Sequence, residues 1–252
     1  MTVISSSDDA QERRLAELAA NLAAVQGRID AACSAAGRAP AEVRLIAVTK
    51  TFPASDVMLL NRLGVGDFGE NRDQEAAQKA AACAAAGVRP RWHFIGQLQV
   101  NKAGSVASYA DVVHSVDRPR LVAALGRRAT LAGREISCLV QVSLDAAVPA
   151  GEADQTGRGG ARPDQVPVLA AAISAEPGLS LAGVMAVAPL GEPARPAYAR
   201  LREIAESLRS EFPSAVAISA GMSDDLGEAI AEGATHVRIG TALLGGRRAF
   251  VR

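Results

Sequence analysis

Leu45-Ile46-Ala47-Val48-Thr49 is an apolar run rich in β-branched residues, too brief for a helix, preceded by Pro40 and followed by Lys50. Such a run reads as a strand buried on both faces, the kind that fills a parallel sheet. Upstream, Leu15, Leu18, Leu22, Val25 and Ile29 fall on one helical stripe. Asp8 or Asp9 is the expected cap of that helix, Gly37 marks its end, and residues 1–8 form a polar stub. Downstream, the same strand reading recurs at 65–69 (VGDFG), 91–95 (RWHFI), 112–116 (VVHSV), 138–144 (CLVQVSL), 181–187 (LAGVMAV), 215–219 (AVAIS) and 236–240 (HVRIG). Helix starts fall between them at Ser55, Asn71, Asp117 and Asp224. Eight strands alternating with helices over 252 residues predict the α/β class and a single (β/α)8 TIM barrel spanning 1–252. A doubly wound sheet usually needs fewer strands. Only 146–163 (AAVPAGEADQTGRGGARP) is a long connection without periodicity, expected to be a lid or an unstructured loop.

Composition narrows the function. Lys+Arg 27 and Asp+Glu 27 cancel, which removes the counterion-release term that drives binding to phosphate backbones, so no nucleic-acid partner is expected. Cys33, Cys83 and Cys138 are widely spaced, with no C-x-x-C and no His pair, and read as reduced, buried thiols rather than a disulfide or a zinc site. The N-terminus (MTVISSSDDA) lacks a basic region and a long apolar region, and the best apolar stretch, 179–190, is too short to span a bilayer. A cytoplasmic protein without membrane contact is the expectation.

Barrel enzymes and binders draw their functional groups from the C-terminal ends of the strands. Those positions carry Lys50 after the first strand, Glu70 and Asn71 after the second, Gln97 after the third, Asp117 after the fourth, and Ser143 and Asp145 after the fifth. The seventh is followed by Ser219–Ser223 (SAGMS) and the eighth by Gly240 and Thr241. The last two loops are where barrels bind phosphate. Gly221 and Gly240 permit close backbone approach, while Ser219, Ser223 and Thr241 add hydroxyls. In a closed barrel, strand one neighbours strand eight, so Lys50 lies beside that phosphate site. A strand-end lysine alone ordinarily keeps its amine in water. Next to an anion cradle it suits a Schiff base with pyridoxal 5′-phosphate (PLP).

Arg238 places a guanidinium inside an apolar strand, where it faces either the barrel mouth or a carboxylate such as Asp67 or Glu70. Asp224 and Asp225 read as helix caps. His93, His114 and His236 are too dispersed for a local metal motif. Gly64, Gly66 and Gly69 spell G-x-G-x-x-G but lead into a strand instead of opening a helix, so no dinucleotide site follows. GRGG at 157–160 lacks the Gly-Lys-Ser/Thr ending of a P-loop, and GMSDD lacks the last glycine of a nucleophile elbow.

Six blocks in order carry a family resemblance: AVTKTFPASDV (47–57), FGEN (68–71), WHFIGQLQVNK (92–102), GVMAVAP (183–189), GMSDD (221–225) and VRIGTALLG (237–245). Together the chain resembles the pyridoxal phosphate homeostasis protein family, also called proline synthase co-transcribed. The resemblance implies a barrel of the fold-type III PLP kind, like the N-terminal domain of alanine racemase, with PLP on Lys50. It implies a phosphate held by the segments around Gly221, Met222 and Ser223 and around Gly240 and Thr241, and Arg238 near the pyridine nitrogen. Asn71, Ser219 and these residues make up the expected cofactor-binding set, with no catalytic residue and no metal. Members are thought to bind, store or deliver PLP, which implies a monomer in transient contact with PLP-dependent apoenzymes. Thr49 stands where the family often has Ser, and GRGG where it usually has Lys-x-Gly.

The alternative is a PLP-dependent amino-acid racemase or decarboxylase of the same fold. Those enzymes add a C-terminal β-domain, and here the chain ends at Arg252, shortly after Gly245. Tyr109 and Tyr198 are the only tyrosines, neither at a strand end, whereas a racemase needs a second base opposite the lysine.

Overall fold

The computed structural model describes residues 6–145 and 159–246. Helix α1 (Ser6–Ala35) leads into β1 (Arg44–Val48), after which strands and helices alternate: α2 (Ala54–Arg62), β2 (Asp67–Glu70), α3 (Asp73–Ala85), β3 (Arg91–Phe94) and α4 (Ala103–Tyr109). Next come β4 (Val112–Val116), α5 (Pro119–Leu131), β5 (Ile136–Gln141), α6 (Val166–Ala175), β6 (Leu179–Met185) and α7 (Ala194–Glu211). The chain closes with β7 (Ala217–Ser219), α8 (Leu226–Ala231), β8 (His236–Ile239) and α9 (Thr241–Leu244). The strands form one closed parallel barrel in chain order. Closure is made by β1 on β8, with Ile46 opposite Arg238 and Ala47 opposite Ile239. All eight expected strands are present. The seventh is shorter than expected because Ala215 and Val216 give their N–H groups to a local turn, to the carbonyls of Phe212 and Ser214, instead of to a neighbouring strand.

Two expectations about helices change. Helix α1 already includes Asp8 and Asp9, so neither sits at a cap position. Helices α2, α3, α5 and α8 begin behind Pro53, Arg72, Arg118 and Asp225, none with a side-chain cap bond, so Ser55, Asn71, Asp117 and Asp224 are not their caps.

The last helix, α9, is too short to cover the seam between β8 and β1, and α1 covers it instead. Arg14 bonds Asp56 Oδ2 (2.6 Å) and the Leu244 carbonyl (3.0 Å), and Asn21 bonds the Leu243 carbonyl (3.0 Å). Leu18, Val25, Ile29 and Cys33 bury the inner face of α1. Each such Leu, Val or Ile contributes roughly 1.5–3 kcal/mol.

The main apolar core is the shell between strands and helices. Inside the barrel a second, small apolar patch of Val112, Leu139, Met185 and Ala217 packs by itself. Gly183 holds φ 149° where β7 approaches so closely that a Cβ would lie 1.9 Å from the Ala217 carbonyl oxygen. The rest of the interior combines polar groups with Ile46, which lies opposite Arg238 in the sheet. The three cysteines are free and buried, and burial pushes the Cys138 thiol up to about 12. Among the described residues no helix is long and apolar enough to cross a membrane.

Candidate functional site

Lys50 leaves the end of β1 at the C-terminal mouth of the barrel. Its side chain is exposed, and the turn around it is held from below. Buried Lys79, on α3, donates from Nζ to the Thr49 carbonyl (2.6 Å), to Glu70 Oε1 (2.6 Å) and to Glu75 Oε1 (2.7 Å). Thr49 Oγ1 donates to the same Glu70 oxygen at 2.6 Å, and the Thr51 N–H to Glu75 Oε1 at 2.5 Å. The residues on both sides of Lys50 are thereby fixed by one buried ion cluster. Thr51 takes φ 68°, the one positive φ outside glycine among the described residues. For a β-branched residue this costs on the order of 1–3 kcal/mol, and the Glu75 bond helps hold it there. Burial pushes the Glu70 carboxyl above its ordinary range, opposed by Lys79 and by the Thr49 hydroxyl.

The loops after β7 and β8 meet beside that turn. The Arg238 N–H donates to the Gly221 carbonyl (2.9 Å), and a Cβ on Gly240 would sit 3.3 Å from the Val48 carbonyl oxygen. The barrel seam thus sets Gly221, Arg238, Gly240 and the end of β1 side by side. In α9, Leu243 and Leu244 both donate to the Gly240 carbonyl. The N–H groups of Thr241 and Ala242 precede those bonds and have no partner within the helix. Gly221 holds φ 90°, and a Cβ there would lie 2.7 Å from the Ala229 Cβ.

Asp225, expected to cap a helix, shapes this turn. It accepts from the Met222 N–H (2.6 Å) and from the Tyr198 hydroxyl (2.7 Å). Burial, then the Asp225 bond and charge, push the Tyr198 phenol well above its ordinary range.

Arg238 is buried and faces the interior. It donates to Ser219 Oγ (2.7 Å) and to the Ala186 carbonyl (2.9 Å), and among the described residues no carboxylate pairs with it. Asp67 and Glu70 are therefore not its partners. Asp67 pairs with His93 and Arg44, and Glu70 with Lys79. Ser219 is fully buried between Arg238 and His114, so its hydroxyl is not offered to the mouth as the phosphate reading assumed. Asn71 is half-buried at the end of β2 with an unpartnered, buried Oδ1. Ser223 is half-buried, and Met222 and Thr241 are exposed at the mouth. GRGG lies only partly within the described residues. Ala161, just beyond it, returns to the sheet by bonds with Gln141 and Ser143.

Glu75, Lys79 and Tyr198 were not legible as site residues. One signal existed for Lys79, because Ala76, Lys79 and Cys83 share the buried face of an alanine-rich helix, where a lone lysine needs a partner.

Comparison with known proteins decides the family. Residues 15–248 match the family model for the N-terminal domain of alanine racemase. A curated pyridoxal phosphate homeostasis protein of Mycobacterium bovis is 42% identical, over 93% of this chain and 95% of that one. The chain belongs to the pyridoxal phosphate homeostasis protein family. The Escherichia coli protein of that family name is 38% identical over 92% of this chain and 97% of its own. Among solved structures, PipY of Synechococcus elongatus, determined with PLP bound, superposes with a TM-score of 0.75 at 32% identity, covering 90% of this chain and 100% of that one. For a pyridoxal phosphate homeostasis family barrel, the exposed amine, the unpartnered N–H groups and the buried guanidinium all lie at one end.

Proposed function

We propose that this protein binds PLP on Lys50 and serves its storage or delivery in the cytoplasm, as a one-domain monomer that meets PLP-dependent apoenzymes transiently. The observation that carries this reading is the barrel seam. It sets an exposed strand-end amine next to the Gly221 turn, to the first N–H groups of α9, which have no partner within the helix, and to a buried guanidinium that pairs with no carboxylate among the described residues. These residues fit the cofactor: Lys50 would be the covalent anchor, Gly221 and Gly240 leave room for the dianion, and the N–H groups at the start of α9 with the Ser223 and Thr241 hydroxyls would hold it. Asn71, whose buried Oδ1 has no partner, would add a polar contact to the same site. When bound, PLP supplies an electrophilic aldehyde and an electron-withdrawing ring.

Arg238 only donates hydrogen bonds, and those it makes to Ser219 and Ala186 leave further N–H groups for the ring nitrogen. A nitrogen facing a guanidinium accepts and stays unprotonated, which makes the ring a weaker electron sink and suits a carrier. The tyrosines support the same conclusion. The Tyr198 hydroxyl is committed to Asp225, and burial pushes the Tyr109 phenol well above its ordinary range, so neither is poised as the second base of a racemase.

Borohydride treatment of the PLP-loaded protein followed by peptide mapping tests the assignment. The label is expected on the peptide containing Lys50 and is lost in Lys50→Ala. A label on Lys79 or Lys102, or amino-acid turnover that disappears in Lys50→Ala, would overturn the reading.

A further inference from the structure

The barrel interior contains an unbroken polar chain that binding of the phosphate does not require. Asp67 begins β2 at the floor of the barrel, and its Oδ1 lies 2.8 Å from His93 Nε2. His93 Nδ1 lies 2.9 Å from His114 Nε2, and His114 Nδ1 lies 3.0 Å from Ser219 Oγ. Ser219 Oγ in turn takes the Arg238 bond. His114 is on β4 and Ser219 on β7, which are not neighbours in the sheet, so their bond crosses the interior. His93, His114, Ser219 and Arg238 are all buried.

Donor and acceptor chemistry gives this chain one sense. Guanidinium can only donate, so Ser219 Oγ accepts from Arg238 and has its own proton to place. The neighbour placed to accept it is His114 Nδ1. A neutral His114 that accepts at Nδ1 carries its proton on Nε2 and gives that bond to His93 Nδ1. His93 then carries its proton on Nε2 and donates to the Asp67 carboxylate. The opposite sense would set a bare His93 nitrogen against an anionic oxygen 2.8 Å away. Burial keeps both rings neutral, pushing His93 below the ordinary imidazole range against the pull of Asp67, and His114 well below it. Arg44 and Arg91 also bear on this end, and His236 lies beside His93 with its own Nδ1 on Thr235.

We infer that Asp67, His93, His114 and Ser219 are positioning residues, a one-way hydrogen-bond relay that aims Arg238 at the cofactor from the far end of the barrel. The physical need is clear. A buried guanidinium without a carboxylate is costly, and a direct carboxylate partner would occupy the face required by the ring. A relay of oriented neutral dipoles links the cation to Asp67 while leaving that face open. Asp225 adds a nearby negative charge from the loop side.

The role of Arg238 rests on the PLP reading above, whereas the sense of the relay does not. The first measurement therefore uses the cofactor-free full chain. 15N NMR of the histidines is expected to show His93 and His114 both protonated on Nε2, with pyridine-type signals at Nδ1. An Nδ1–H tautomer or an imidazolium at either ring at neutral pH would overturn the relay.

Asp67→Ala removes the final acceptor. The His93 Nε2–H signal is expected to shift as that proton loses its acceptor, while His114 keeps the Nε2–H form that the Ser219 proton imposes on it. Asp67→Asn, whose Oδ1 still accepts, should retain the Nε2–H form and controls for folding. A switch of His114 to the Nδ1–H form in Asp67→Ala would show that Ser219 does not donate to it, an unmoved His93 Nε2–H signal would show that Asp67 does not accept from it, and either result would overturn the proposal. In the PLP-loaded protein, Ser219→Ala is expected to weaken cofactor binding roughly tenfold, about the loss of one buried charge-assisted bond. Wild-type affinity in that variant would refute the link to Arg238. Failure of the unaltered protein to take up PLP would count against the function proposed above and leave the tautomer result standing.

Discussion

Lys50 gains its place from neighbours that are themselves hidden. The Lys79 ammonium holds the carbonyl before it, and Glu75 holds the N–H after it, both within the ion cluster centred on Glu70 Oε1. Glu70 is fully buried, so removing its cation leaves an uncompensated charge in the protein interior. Lys79→Met is therefore expected to cost about 3–5 kcal/mol of unfolding free energy. Glu70→Gln in the same chain should restore part of that loss, because it removes the stranded charge. Urea denaturation of both single variants and the double variant measures the coupling. Additive costs would show that the cluster does not act as a unit. Lys50 itself was readable from its place after an apolar run, since only the strand order is needed to set it beside the last strand. Lys79 was not, because its partners lie on β1 and β2 and become neighbours only when α3 packs against them.

In the proposed site, the turn from β7 into α8 is the short element expected to meet the phosphate. Gly221 has the left-handed backbone that a side chain resists, and the Met222 N–H is tied back to Asp225. Gly221→Ala would force its Cβ against Ala229, so the turn must shift. We expect PLP affinity to fall at least tenfold, while the weaker affinity for pyridoxal without phosphate changes little, since the turn faces the dianion. Titrating both ligands by absorbance measures the two effects. An equal loss for both would place the turn against the ring instead. The expectation of a phosphate site rests on the glycine and the hydroxyl residues of this turn. The roles of Asp225 and Tyr198 were not, because an acid ahead of a helix reads as a cap until its actual partners are visible.

The buried imidazoles together govern how the protein responds to acid. His236 is pushed down to about 4 by burial, His114 lies well below the usual range, and His93 lies below it for the same first cause. The unfolded chain takes up these protons near pH 6.5, while the folded barrel resists them. Stability is thus present in full above about pH 6.5 and is lost as pH falls toward 4. The slope is about 1.4 kcal/mol per pH unit for each histidine that stays neutral in the fold. Glu70, raised by burial, acts in the opposite sense, but it is one group against three. Urea midpoints measured from pH 7.5 to 5 should fall steadily, and a flat profile would show that the histidines accept protons inside the barrel.

The sequence alone determined the alternation of strands and helices, the strand count and hence the closed barrel, because hydrophobic periodicity is a local property of the chain. It also determined that Lys50 and the two glycine turns share one end, because parallel strands all finish on the same side. Tertiary structure alone decided which buried polar groups pair. Arg238 meets Ser219 and Ala186 instead of Asp67 or Glu70, His114 reaches across to β7, and α1 rather than α9 covers the seam. Those pairings depend on the stagger of the closed sheet and the depth of each side chain within it. No stretch of sequence contains that information locally.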